Sequence, residues 1–449
     1  TFSMNSASSK TETQNQRQMY VVADAKYSYA DRYVAELVAQ YAGSSRYEKG
    51  HRFAFFPSVG LAWVASNEDF LRDVNWIDRL KLHAQTGLTG QFDVFGTPYQ
   101  YRSNYSYNGD MWYGPISDQP SWFGTNRWIS YKTTINRLAN HNLSWPKVFQ
   151  TDLGIDFDFL SLFSVKVNAY YKKIYDSIVN VSSIIPGVYG LNNISLMDNY
   201  TAQSLRGMDV TFGYSQTFGD FHVGASLSAT MYKAIYEKMT DDNWLYEYQK
   251  KTGTPVDAYW GYRCIGKYED EDQLSSVPAI STAVKVGDLM YEDVNNDGRI
   301  DDNDKVNLGN TAPRLSYALN FTFGWKSLEL NVVGTGRAGL KTAMTNSYFW
   351  NGWGDGNYSA FVRDNIGGAY PRLDYVHSDQ NFVGSDFWLR NGSWFKIQSV
   401  ELSYDLNLRP SSWIKGIKFS LKGQNLLTLS GIKDVDPECI DAGVTSYPL

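Results

Sequence analysis

Apolar and polar residues alternate along segments of about ten residues, and these segments come in pairs. Phe163, Val165, Val167, Ala169 and Tyr171 interleave with Ser164, Lys166, Asn168, Tyr170 and Lys172. A period of two places the first set on one face of a strand and the second set on the other. The second face is charged and therefore wet, so it is not a packed core. The first face is apolar and ends in an aromatic ring. An antiparallel β-barrel that crosses a membrane meets both conditions, with lipid outside its wall and water or a plug inside.

The pattern predicts twelve strands in six pairs: Gln18–Ser28 with Arg32–Tyr41, Ser58–Ala65 with Leu80–Gly87, Lys147–Phe159 with Phe163–Ile174, Gly207–Phe218 with Phe221–Tyr232, Arg314–Gly324 with Leu328–Thr335, and Trp394–Asp405 with Ile417–Asn425. Tyr33, Leu37 and Tyr41 are expected to face lipid, as are Leu80, Leu82 and Ala84; Lys81, His83 and Gln85 face inward. The cleanest lipid face is Leu315, Tyr317, Leu319, Phe321 and Phe323. Parity slips near Ser399-Val400, which reads as a bulge. Asp69-Phe70-Leu71, between the strands of the second pair, reads as a helical turn. The other pairs close on short turns such as Tyr29-Ala30-Asp31 and Gly219-Asp220. Long connections separate the pairs: Ala42–Pro57, Leu88–Pro146, Tyr175–Arg206, Lys233–Pro313 and Gly336–Ser393. In barrels of this kind the short turns are periplasmic and the long loops extracellular.

Composition narrows the choice. A chain of 449 residues is long for one ordinary globular core. Aromatic residues reach 16%, and no run of about 18 apolar residues exists to make a membrane helix. A net charge of −6 argues against a nucleic-acid partner. Cys264 and Cys439 provide neither a metal spacing nor a disulfide framework. His51, His83, His141, His222 and His377 show no ligand spacing, and Asp152, Asp156 and Asp158 read as solvated residues of the wet face. No nucleophile elbow, phosphate loop or zinc motif is present, so an enzyme is not expected.

Residues 293–304 read Asp-Val-Asn-Asn-Asp-Gly-Arg-Ile-Asp-Asp-Asn-Asp. This follows the calcium-loop template, in which alternate positions of a tight loop offer oxygens to a hard cation. Asp293, Asn295, Asp297, the carbonyl of Arg299, Asp301 and Asp304 are the expected ligands, with Gly298 at the sharp turn and Ile300 packed inward. Asp304 replaces the usual Glu. The rival is an acidic turn without metal. No flanking helices are indicated, so a structural Ca2+ clamp at 287–310 within an extracellular loop is expected rather than a sensor.

Two loop stretches are rich in rings. Tyr99–Trp128 carries Tyr101, Tyr105, Tyr107, Trp112, Tyr113, Trp122 and Trp128; Tyr348–Tyr358 carries Phe349, Trp350, Trp353 and Tyr358. Flat rings beside polar groups suit sugars and extended peptides. Trp112, Tyr113, Trp122, Trp350, Trp353 and Tyr358 are the expected contacts to a substrate or a lid. The rival is loops packed on one another through these rings.

Several stretches resemble the C-terminal half of SusC/RagA-type TonB-dependent transporters of Bacteroidetes. They are Tyr27-Ser-Tyr-Ala-Asp-Arg-Tyr33, Gly43-Ser-Ser-Arg-Tyr47, Phe56-Pro-Ser-Val59, Thr86-Gly-Leu-Thr-Gly90, Gly287-Asp-Leu-Met-Tyr-Glu-Asp-Val-Asn-Asn-Asp-Gly298, Ser385-Asp-Phe-Trp-Leu-Arg-Asn-Gly-Ser393 and Gly423-Gln-Asn-Leu-Leu427. The resemblance implies an all-β, plugged barrel of the 22-stranded class, with these strands as the tenth to the twenty-first. It implies the bacterial outer membrane and its lipid as surroundings, a SusD-like surface lipoprotein as lid, and TonB acting through an N-terminal plug and barrel portion supplied elsewhere. The cargo would be a bulky glycan or peptide. Residues 1–449 are thus expected to be a piece of such a barrel, without plug or closing strand. A passive porin, and a surface adhesin or structural barrel, are the alternative functions.

Overall fold

The computed structural model describes residues 16–91, 99–108, 122–123, 128–129, 132–189, 194–241, 244–345, 349–350, 369–372, 379–407, 416–433 and 436–438. Twelve strands form the main path of a 14-stranded sheet, to which Asn104–Asn108 and Lys132–Leu138 add a side branch on β7: β1 (Gln18–Tyr29), β2 (Tyr33–Ser44), β3 (Phe53–Val64), β4 (Ile77–Gly90), β5 (Lys147–Phe159), β6 (Phe163–Asn180), β7 (Ser195–Phe218), β8 (Phe221–Lys238), β9 (Leu315–Trp325), β10 (Leu328–Ala338), β11 (Trp394–Asn407) and β12 (Gly416–Ser430). Each pairs with its sequence neighbour, β1 through β12 in order. Among the described residues β1 and β12 are the two free edges. No described helix is long and apolar enough to cross a membrane.

The short turns gather at one end of this meander. Ala30 and Asp31 both sit at φ 53°, and Leu160 and Ser161 both at φ 56°. Consecutive left-handed residues match the twist of the strands they join. The β3–β4 connection carries the expected helical turn as a helix at Asp69–Arg72. Glu68 ties that connection to the first hairpin. It accepts from Arg32 Nη1 at 3.0 Å, the Tyr33 hydroxyl at 2.6 Å and Trp63 Nε1 at 3.0 Å.

The register fixes two unlike faces. Leu227 lies opposite Leu319, Ala225 opposite Phe321 and Val223 opposite Phe323, while Ser226 faces Asn320 and Thr230 faces Ser316. Rings collect on the apolar face near the short turns. Phe163 stands 5.1 Å from Phe159, and Phe221 6.2 Å from Trp325. A second level lies toward the long connections, where Tyr41 stacks on Phe53 and Tyr317 on Phe395. From Tyr33 to Tyr41 is eight residues, about 26 Å of strand, or about 20 Å of membrane depth for a tilted strand. Two aromatic levels at this spacing are the girdles of a membrane-spanning wall.

The expected pairs are all present, with two differences. β3, β6, β7, β8 and β12 run at least five residues further toward the long connections than the alternation indicates, β7 beginning at Ser195 rather than Gly207. Once a strand rises above lipid neither face has to be apolar, so period two fades although the hydrogen-bond ladder continues. The bulge lies at Gln398, which is skipped in the pairing of β11 with both β10 and β12. That is one residue before the expected pair.

Almost every buried apolar side chain lies near or above the long-connection end. One cluster joins Ala42, Tyr47, Phe56, Tyr101, Leu143, Trp145 and Ile178. Two more lie in the connections after β8 and β10, one of them joined by Ile432 beyond β12.

Candidate functional site

The β8–β9 and β10–β11 connections fold together into one body above the sheet. Short ladders build it: Ala258–Gly261 with Val306–Asn310, Cys264–Lys267 with Leu289–Tyr291, and Lys341–Ala343 with Leu389–Asn391. The two connections then lock. The Tyr262 N–H donates to the Gly384 carbonyl at 2.9 Å, and the Cys264 N–H to Asp386 Oδ1 at 2.7 Å.

A buried polar clip completes the lock, and the sequence pattern gave no sign of it. Asp288, Gln380 and Asn381 are each 0% exposed. Asn381 Nδ2 donates to Asp288 Oδ1 at 2.8 Å, while its Oδ1 accepts from the Leu289 N–H at 2.9 Å. Gln380 Oε1 accepts from the Ile280 and Ser281 N–H groups, and its Nε2 donates to the Leu289 carbonyl at 2.6 Å. Arg372 Nε lies 3.3 Å from Asp288 Oδ1. Polar groups out of water must be satisfied in this way. The two amides act as backbone surrogates that hold the 280–291 stretch. A Gln-Asn pair in a polar loop gives no local signal of this role, because its partners lie some 90 residues away.

The acidic loop docks on the segment before it. The Tyr248 hydroxyl donates to the Asn303 carbonyl, and Gln249 Nε2 donates to the Asp302 carbonyl. Gly298 adopts φ +81° at the sharp turn, and Ile300 is buried in the apolar cluster of Tyr262, Leu289 and Tyr291. Asp293 accepts from the Asp297 and Gly298 N–H groups, and Asp297 from the Arg299 N–H. Asn295 Oδ1 accepts from the Asp297 N–H, and Asp301 Oδ1 from the Asn303 N–H. Asp304, fully buried, accepts from the Val294 and Asp301 N–H groups and so caps the short helical turn. The carboxylates therefore shape the loop through backbone donors. Among the described residues no three acidic or metal-binding side chains stand together as a ligand set. The loop's charge reaches its neighbours. Burial first, then Asp302, Asp304 and Asp301, push the Tyr262 phenol up to about 12; burial and then Asp304 raise Tyr248.

The expected ring contacts divide. Trp112, Tyr113, Trp353 and Tyr358 lie outside the described residues, and Trp122 sits in a two-residue ladder with Ile129. Trp350 is packed, its ring 5.9 Å from Trp388 and 6.1 Å from Phe382, and its Nε1–H is buried with no acceptor among the described residues. Tyr101 is buried with Tyr47, Phe56 and Trp145, whereas Tyr105 is exposed. Cys264 is a free thiol; Cys439 lies outside the described residues.

No family model matches the chain. It is 25% identical over 443 residues to the TonB-dependent receptor P26 of Formosa agariphila, covering 92% of this chain and 42% of that protein. It is 24% identical over 449 residues to the TonB-dependent receptor SusC of Bacteroides thetaiotaomicron, covering 94% of this chain and 41% of that protein. The chain thus spans about two fifths of the length of these curated relatives. Among solved structures, the RagAB peptide transporter superposes with a TM-score of 0.69 at 17% identity, over 94% of this chain and 45% of that one. These three relatives are receptors or transporters by name, not enzymes.

Proposed function

We propose that this chain is a barrel portion of a SusC/RagA-type TonB-dependent receptor, forming about half the wall and much of the outer mouth of an outer-membrane importer of bulky nutrients, oligosaccharide or peptide. The importer works with a SusD-like surface lipoprotein as lid and draws energy from TonB through its plug portion. The observation that supports this most is the match, over 94% of the chain, to the barrel of a peptide transporter. The locked body at 258–310 and 379–391 presents a fixed surface to a lid, and the aromatic stretches around Tyr105 and Trp350 stand at the same end of the strands. The test is uptake by host cells lacking the receptor and complemented with it. Oligosaccharide or peptide uptake restored by the gene and abolished by a proton ionophore supports import. Uptake indifferent to the ionophore points to a passive pore, and no change in uptake to an adhesin or structural barrel.

The loop Asp293–Asp304 is proposed to hold one Ca2+ as a structural clamp. Hard oxygen donors at Asp293, Asn295 and Asp297 with the Arg299 carbonyl suit that ion. Asp301 and Asp304 would add ligands beyond their capping bonds. Calcium titration of the intact receptor, followed by amide exchange at 293–304, checks this. Saturable protection, lost in Asp297→Ala, is expected; identical exchange with calcium and with chelator refutes it.

A further inference from the structure

Three neighbouring strands bring basic side chains to the lipid-facing side of the wall at its upper border. On β7, residues Phe212, Val210 and Met208 lead up the apolar face to Arg206. On β8, Leu227, Ala229 and Met231 lead up to Lys233. Arg206 and Lys233 are directly opposite in the ladder, just above the Met208–Met231 pair. On the other side Arg206 faces Tyr171 of β6, its guanidinium carbon 5.6 Å from the ring centre. Lys173 follows on β6 and reaches Glu237 of β8 at 2.5 Å, an oxygen of which also accepts from the Tyr171 hydroxyl at 3.4 Å.

Two like charges directly opposite in an antiparallel ladder destabilise it. Arg206 and Lys233 are both exposed, and neither has a carboxylate within ion-pair distance among the described residues. Counting Glu237 against Lys173, Arg206 and Lys233 leaves two positive charges at one spot. The height is also informative. Arg206 lies twelve residues above Phe218 of the lower aromatic level, about 40 Å of strand and about 30 Å of depth at the usual tilt. That is past an apolar band of about 25 Å and above the upper ring level, since Tyr317 lies level with Ala229 and Val210, four residues below Arg206; Arg206 therefore stands among the headgroups.

We propose that Arg206, Lys233 and Lys173, with Tyr171 as a flat support, bind the phosphorylated headgroup of a lipid in the leaflet facing the long loops. The inference rests on the membrane-spanning reading of the wall. A phosphate between Arg206 and Lys233 removes their repulsion, Arg206 engages it through two parallel N–H donors, and the acyl chains lie over Met208, Met231 and Ala169 below.

The test takes the intact receptor in detergent and titrates it with phosphorylated lipid A and with the same lipid dephosphorylated, counting bound lipid by native mass spectrometry. The wild type should retain the phosphorylated lipid preferentially. Arg206→Gln/Lys233→Gln should lower that retention roughly tenfold, Arg206→Lys/Lys233→Arg should restore most of it, and the dephosphorylated lipid should bind all three alike. Heat-modifiable migration verifies that each barrel is folded. Equal retention of the two lipids by the wild type overturns the proposal, as does a folded Gln variant that keeps the preference. If the double variant does not fold, the wild-type comparison and Lys173→Gln decide in its place. A chain that does not span a membrane would hold neither lipid, which separates failure of the wall from failure of the site.

Discussion

The wall and the loop body solve opposite problems. In the wall, side chains of one face meet lipid and those of the other meet water, so strands such as β9 carry no buried residue at all. Its backbone groups are satisfied from strand to strand, which is what a chain in hydrocarbon requires. In the body above, strands are three to five residues long, too short to hold by pairing alone. There the stability comes from buried rings and from fully satisfied polar groups, as in a soluble domain. Two folding solvents have shaped one chain, and a given substitution should act on one region and spare the other.

The largest expected separation comes from Trp388, which is 2% exposed and touches Trp350, Tyr370, Phe382 and Phe387. Trp388→Ala removes the centre of that cluster, and a buried Trp→Ala change costs about 3–5 kcal/mol. Amide exchange should rise at 258–310 and 379–391 while β4 to β10 keep their protection and the protein keeps its heat-modifiable migration. Loss of the barrel together with the body would show that the two are a single cooperative unit.

The converse substitution is Leu319→Arg, on the lipid face at mid-strand and opposite Leu227. An arginine at the bilayer midplane costs about 2–4 kcal/mol, which should lower the yield of inserted barrel. Ser228→Arg, next along β8 but on the wet face, should insert normally. Equal insertion of both variants would remove the assignment of faces, and with it the comparison.

This division also explains what could be read from the residues alone. β5 runs Lys147–Phe159 as expected, because Leu153, Ile155 and Phe157 alternate with Asp152, Asp156 and Asp158, although Asp152, expected to be solvated, is buried and accepts from Gln85 and Gln150. The upper half of β7, Ser195–Leu205, is half-buried or buried throughout, packed by neighbouring connections rather than by lipid on one face, and loses the period that would have marked it. The acidic loop was legible as a local motif, Gly298 and Ile300 behaving as its template requires. The Gln380–Asn381 clip was not, since an amide's role depends on which distant carbonyl and N–H fold against it. The Ser385–Ser393 stretch entered only through its family resemblance; that Trp388 is the centre of a core follows from burial, which no spacing rule expresses.

The smallest effect tests the seam between the regions. Asp257, in the body, accepts from Arg314 Nη2 at 2.9 Å and from the Ala312 N–H at 2.8 Å, just where the chain enters β9. Burial pushes the Asp257 carboxyl up, but the Arg314 hydrogen bond, the Ala312 N–H and the Arg314 charge together outweigh it and hold the pKa below 3.8. A lowered carboxylate pKa stabilises the fold at every pH above the unfolded value, and that contribution is lost as pH falls through the folded one. The seam is therefore fully held at pH 7 and should loosen below about pH 4, by about 1 kcal/mol for a partly exposed pair. Exchange of the Ala312 amide, corrected for its intrinsic rate, should accelerate between pH 5 and pH 3 while amides of mid-β9 change far less. Asp257→Asn should show the loosened rate already at pH 7. An Ala312 amide that stays equally protected across that range, in both proteins, would mean that the Asp257 carboxylate does not hold the seam.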